Sequence, residues 1–167
     1  MDMRVCHDCR EKRGQIYPID ENVADEPPLH YYCRCNIEIL TAMLAGTATT
    51  RGEEGADYYI AYHGHLPDYY ITKEDARINY GYIPGKNTVA GKMPGKMIGG
   101  NIYENDNFHL PSEPGRIWYE ADINYVSGRR NTERIVYSND GLIFVTYDHY
   151  ETFIEIIVLS EEEEEKI

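Results

Sequence analysis

Positive charge is scarce in this sequence: 16 Lys and Arg stand against 29 Asp and Glu, a net charge of −13 over 167 residues. Phosphate binding is dominated by Lys and Arg, so the balance argues against a generic nucleic-acid-coating surface. It does not forbid a local cationic site. Phe and Trp are also few, 3 and 1 against 16 Tyr. Tyrosine buries a ring while keeping a polar tip, which suits shallow binding faces as well as small cores. No apolar run approaches the length of a membrane span, and no signal-peptide core follows Met1, so a soluble chain is expected. A phosphate loop is missing: Gly85 to Gly91 encloses five residues rather than four, and Met93 follows Lys92. No G-x-S-x-G elbow appears, which leaves serine-hydrolase triads without support. Cysteine is absent beyond Cys35, and no internal repeat of solenoid length is visible.

What is present falls into four segments. Residues 1–40 carry Cys6, Cys9, Cys33 and Cys35. Residues 41–55 are small, Thr- and Gly-rich and aperiodic, and read as a linker. Residues 56–157 hold the patterned, Tyr-rich material. Residues 158–167 contain Glu161 to Glu165 and read as a solvated tail. With 42% hydrophobic residues, one packed domain plus a small terminal module is the expected organisation.

The large segment starts helical and ends in strands. Ala56 to His63 is a helix candidate, and Thr72-Lys73-Glu74-Asp75 is a capping pattern that places Lys73 in a first helical turn. Pro84-Gly85-Lys86, Gly91-Lys92 and Pro94-Gly95-Lys96 mark turns. From residue 117 the period becomes two. Trp118, Glu120, Asp122 and Asn124 share a mostly polar face, while Tyr119, Ala121, Ile123 and Tyr125 share the other. Further strands are expected at Arg134–Ser138, Leu142–Tyr147 and Thr152–Ile157, the first two joined by the Asn139-Asp140-Gly141 turn. Helices followed by an antiparallel meander make an α+β fold.

Taken singly, the chemically capable residues have bland explanations. Glu120 reads as a solvated strand residue and His149, in the Asp148-His149-Tyr150 turn, as a structural histidine. Arg129, Arg130 and Arg134 read as a solvated charge cluster. Together, a Glu, a His and paired arginines from neighbouring strands are what RNA transesterification needs. One group removes the 2′-hydroxyl proton and another protonates the leaving 5′-oxygen. The arginines stabilise charge on the phosphorus oxygens. The nucleophile lies within the substrate, so no metal is required. His63, His65 and His109 have no comparable setting and read as surface or packing residues.

The stretches HLPDYYITK (65–73), PGKMIGG (94–100), WYEADINYVSG (118–128), RNTERIVYS (130–138) and DHYETF (148–153) carry a family resemblance. Residues 56–156 resemble the barnase-like, guanyl-preferring microbial ribonucleases. The resemblance implies helices packed on an antiparallel sheet, with Glu120 as general base and His149 as general acid. Lys73, Arg130 and Arg134 match the family's phosphate-binding cations, and Asp122 matches the acid that braces the arginines. Tyr150 matches an aromatic residue of the substrate site, and residues 104–107 (Glu104, Asn105, Asp106, Asn107) match the base-binding loop. Two departures stand out: Asn107 replaces an acid that grips the guanine edge, and Asn101 replaces an aspartate near the lysine. In the relatives the inhibitor is an acidic barstar-like protein, so a barstar-like immunity partner is implied.

Cys6-x-x-Cys9 and Cys33-x-Cys35, with His30 between the pairs, fit a structural zinc clip. A disulfide pair or free thiols fit as well. The segment also resembles the C-terminal motif of phage minor head (head-morphogenesis) proteins. Head-protein segment, linker and ribonuclease together resemble a prophage-encoded toxin that acts in a bacterial cytoplasm. The alternative is a phage structural or assembly protein whose ribonuclease-like domain binds without cutting.

Overall fold

The computed structural model describes residues 42–158. The Cys6, Cys9, Cys33, Cys35 and His30 ligand set and the Glu161–Glu165 tail lie outside the described residues. Among the described residues there are seven strands: β1 (Ala42–Leu44), β2 (Tyr70–Ile71), β3 (Met97–Tyr103), β4 (Trp118–Asp122), β5 (Arg134–Ser138), β6 (Ile143–Thr146) and β7 (Ile154–Ile157). Three helices accompany them: α1 (Ala56–His63), α2 (Lys73–Tyr80) and α3 (Val89–Lys92). None is long and apolar enough to cross a membrane.

The fold is α+β, but the sheet is mixed rather than antiparallel. Its order is β1-β7-β6-β5-β4-β3-β2. Strands β3 to β7 form the antiparallel part, whereas β1 pairs with β7 and β2 with β3 in parallel. The parallel edges come from strands of three and two residues. Such lengths are too short for a period of two to register in sequence. The Gly91-Lys92 turn expected from sequence lies instead inside α3, whose N-terminus Thr88 caps by accepting from the Gly91 N–H.

Residues 42–55 fall within the stretch expected as a linker and carry regular structure. Beyond β1, they form a turn and a short 3₁₀ segment, Gly52–Glu54, tied down by a buried carboxylate. Asp57, fully buried in α1, accepts hydrogen bonds from Gly46 N (2.8 Å), Ala48 N (2.9 Å) and Thr49 Oγ1 (3.1 Å). Asn124 accepts from Thr50 N at 2.8 Å, and Tyr147 donates to Ala48 O at 2.7 Å. Small Thr and Gly residues let the chain fold tightly around these long-range partners, which composition alone does not display.

One sheet face packs Ile123, Ile135, Ile143, Val145 and Ile156 with Ile60 of α1. Near the β3 edge, Ala76, Tyr82, Val89, Met93 and Ile98 form a second cluster joining α2 and α3 to the sheet. A third cluster, Leu110, Trp118, Val136 and Phe144 with Tyr150 and Phe153 against it, lies on the opposite face.

Candidate active site

Helix α2 starts where it does because Thr72 accepts from the Asp75 N–H at 3.1 Å and donates back to the Asp75 carboxylate at 2.8 Å. That start aims Lys73, the first helical residue, at the sheet. A bulge in β3 completes the approach. Gly100, at φ +84°, occupies the irregular step between Gly99 and Asn101. A Cβ on Gly99 would lie 2.6 Å from Ala121 Cβ and 2.5 Å from the Tyr70 ring, so only glycine fits there. Past the bulge Asn101 stands opposite Glu120, and its Oδ1 accepts the Lys73 N–H at 3.0 Å.

Glu120 is not a solvated strand residue. It is 8% exposed, covered by Lys73 of α2 and by Tyr150. Lys73 Nζ donates to Oε1 at 2.5 Å, and the Tyr150 hydroxyl donates to Oε2. Burial alone would raise the carboxyl pKa. The hydrogen bonds from Lys73 and Tyr150, with the charges of Lys73 and Arg130, outweigh it and hold Glu120 below its ordinary value. Burial and the bond to Glu120 push the Tyr150 hydroxyl well up, so it remains a donor.

Two residues on from Glu120, Asp122 is buried and binds both arginines. Arg130 donates Nε and Nη2 to its two oxygens at 2.6 Å each, and Arg134 Nε approaches Oδ1 at 3.0 Å. Arg134 also donates Nη1 to Asn131 O (2.8 Å) and Glu133 O (2.7 Å). The arginines of the expected cluster therefore differ: Arg134 is buried and fixed, Arg130 half-buried, and Arg129 exposed.

His149 sits at the far rim, exposed, at φ +60° and followed by Tyr150 at φ +71°. Two successive left-handed non-glycine residues are strained, and the turn is held by a neighbouring carboxylate. Asp148 accepts from Thr146 Oγ1 (2.9 Å), Glu151 N (3.1 Å), Thr152 N (2.9 Å) and Thr152 Oγ1 (2.5 Å). Those bonds, led by the Thr152 hydroxyl, lower its carboxyl to about 2. Asp148 stood in the sequence only as part of a turn. An Asp followed four residues later by Thr was the available signal.

Beside His149 opens a cleft of about 470 Å³ lined by Tyr103, Glu104, Asp106, Asn107, His109, His149, Tyr150 and Glu151. Glu104, Asp106, Asn107 and Tyr150, singled out from the sequence, all line it. Asn105 does not line it. Its side chain clamps the loop instead, bonding Leu110 O at 2.8 Å and Leu110 N at 3.1 Å. Asp122 lies beneath the arginines, not in the cleft. His109, read from sequence as a surface or packing residue, lines the cleft, as do Tyr103 and Glu151. Tyr103 stacks on Tyr150 with ring centroids 5.1 Å apart. Among the described residues, no group of three or more His, Cys, Asp or Glu side chains is placed to hold a metal ion.

An ionised buried carboxylate, a cluster of held cations and an exposed imidazole suit proton transfer at a phosphate ester, the work of a nuclease. The family match and the sequence relatives agree with that class. A family model described as ribonuclease matches residues 53–157, and the chain belongs to the ribonuclease family. It is 54% identical over 101 residues to a ribonuclease of Heyndrickxia coagulans, across 60% of this chain and 91% of that protein. It has the same identity over 101 residues to a ribonuclease of Bacillus intermedius, of which it spans 61%. A crystal structure of ribonuclease Sa2 with guanosine-2′-cyclophosphate aligns over 73% of this chain and all of that one, at 21% identity and a TM-score of 0.37.

Proposed function

We propose that the chain is a metal-independent endoribonuclease that cuts single-stranded RNA, with Glu120 as general base and His149 as general acid. The observation that carries this reading is Glu120, buried yet held ionised between Lys73 and Tyr150. Glu120 takes the 2′-hydroxyl proton as O2′ bonds to phosphorus, and His149 protonates O5′ as the P–O5′ bond breaks. Lys73, Arg130 and Arg134 stabilise the charge that develops on the phosphoryl oxygens. In the second step His149 activates water and Glu120 returns a proton to O2′, opening the 2′,3′-cyclic phosphate. The test is cleavage of a fluorogenic oligonucleotide in excess chelator, with cyclic phosphate ends identified. Loss of activity in EDTA by the folded protein sinks the metal-independent reading. Glu120→Ala and His149→Ala are each expected to lower turnover about 10²–10⁴-fold. Their combined effect should be less than additive, since they act as one unit.

We infer a weakened guanine preference at the cleft beside His149. The Asn105 clamp fixes the loop so that backbone N–H groups of residues 104–107 can face a guanine carbonyl oxygen. Asn107 offers one neutral acceptor where a carboxylate would take two protons from the guanine edge. Bonds to a charged acceptor contribute about 1.5–3 kcal/mol against about 0.5–1.5 for neutral ones, a loss of roughly tenfold in selectivity. Glu104, which lines the same cleft, is the side chain able to compensate. Cleavage after G and after A in otherwise identical substrates measures the preference, and Asn107→Glu should widen it. An unchanged ratio in that variant counts against the assignment of the loop.

The context we propose is a prophage-encoded toxin with a barstar-like immunity protein. It is supported by the resemblance of the Cys-rich segment at residues 1–40 to phage head proteins. Expression in a bacterium should arrest growth, and Glu120→Ala should relieve the arrest. Equal arrest by both proteins would mean that RNA cleavage is not the toxic activity.

A further inference from the structure

We propose that His63 and His65, at the end of α1, chelate one divalent ion of the zinc, nickel and copper group. The site stands apart from the ribonuclease reading. Helix α1 packs on the sheet face opposite Trp118 and Tyr150, and neither histidine lines the cleft beside His149.

In a continuous helix, residues two apart point to different sides. Gly64 changes that. It ends α1 in the left-handed region, at φ +75° and ψ 9°, with its N–H donating to Ile60 O at 3.1 Å. The reversal brings the ring after it beside the ring before it. The His63 and His65 ring centroids lie 6.2 Å apart, with the planes tilted by 35°. Tyr59 backs both rings edge-on, at 4.9 Å from His63 and 6.0 Å from His65. Metal–nitrogen bonds of about 2.0–2.1 Å put two chelating ring centres roughly 5 Å apart. Both side chains are exposed, so small rotamer adjustments close the remaining gap of roughly 1 Å.

The ring nitrogens are set for ligation. His65 Nδ1 lies 2.8 Å from Leu66 O. A carbonyl only accepts, so the neutral ring keeps its proton on Nδ1 and leaves Nε2 with a lone pair. Such a bond on the second nitrogen is what orients metal-bound imidazoles. His63 makes no hydrogen bond through either nitrogen among the described residues. A helix C-terminus presents unpaired carbonyls, and its dipole favours a cation there. Two imidazoles select the borderline ions over Mg²⁺ and Ca²⁺, which take oxygen ligands. Water completes the coordination, because no third His, Cys, Asp or Glu among the described residues joins the pair.

The test uses the full chain, labelled in its histidine rings, titrated with Ni²⁺ and followed by NMR, with single His→Gln variants assigning the signals. The His63 and His65 rings should respond over one range of Ni²⁺. His63→Gln should raise the concentration at which His65 responds about tenfold or more, and His65→Gln should do the same to His63, because each loses its linked second ligand. The His149 signal should keep its response in both variants, and Mg²⁺ should move neither ring of the pair. The site is overturned if each histidine keeps its response when the other is replaced, or if Mg²⁺ acts as Ni²⁺ does. It is overturned as well if both replacements shift the His149 response by the same factor, which marks a change in the whole protein rather than a lost chelate.

Discussion

At Glu120, desolvation and hydrogen bonding pull in opposite directions, and the donors prevail. The carboxylate is thereby ready as a base at neutral pH, but its low pKa also makes it a weak one. Lys73 contributes most to the lowering. Lys73→Ala should therefore raise the Glu120 pKa and move the acidic limb of the kcat/KM profile to higher pH, besides reducing the rate. Tyr150→Phe should move the limb the same way. A limb that stays in place in both variants would show that another group titrates there. The same depression affects folding. Stability from ionised Glu120 is fully present above the unfolded value near 4.5 and is lost as pH falls through the lower folded value.

Two elements of the fold depend on carboxylates that accept several backbone donors. Asp148 organises the turn that carries His149 and Tyr150 in left-handed conformations. Asp148→Ala should lower kcat roughly tenfold with KM little changed, because a misplaced acid weakens the transition state more than binding. Its carboxyl sits near 2, so the turn should keep its bonds down to about pH 3, read from the His149 ring resonances. A kcat equal to wild type would mean that the strand ends alone position His149. Asp57 plays the parallel role for residues 46–49. Asp57→Ala leaves the Gly46 and Ala48 N–H groups without their partner and should cost about 2–4 kcal/mol in urea unfolding. A cost below about 0.5 kcal/mol would mean that the segment folds independently of this carboxylate.

For the whole molecule, the net charge of −13 limits how RNA can be held. If Lys73, Arg130 and Arg134 make the phosphate contacts, each adds about −0.7 to the log–log salt slope on single strands, giving a slope near −2. A measured slope steeper than about −5 would require a basic surface beyond these residues. A shallow slope is the advantage of an acidic chain with a local cationic cleft, because stray binding to polyanions stays weak.

The sequence by itself determined the elements whose signals are local. The Thr72 cap, the period of two from Trp118 and the Asn139-Asp140-Gly141 turn depend on residues a few positions apart, and each starts where expected, although the strand from Trp118 ends at Asp122 and Asn124 lies at φ +57°, out of the alternation. It also singled out Glu120, Asp122, Arg130, Arg134, Lys73 and His149, through their types and the family resemblance. Only tertiary structure decided their states. Glu120 is buried because α2 and Tyr150, distant in sequence, close over it, and Arg134 is locked because carbonyls of the preceding loop turn onto it. The parallel edges, the folding of residues 42–55 and the entry of His109 into the cleft came from long-range contacts too. A strand of two or three residues, or a small polar turn around one buried Asp, acquires its energy from partners tens of residues away. No window of sequence contains both halves of such an interaction.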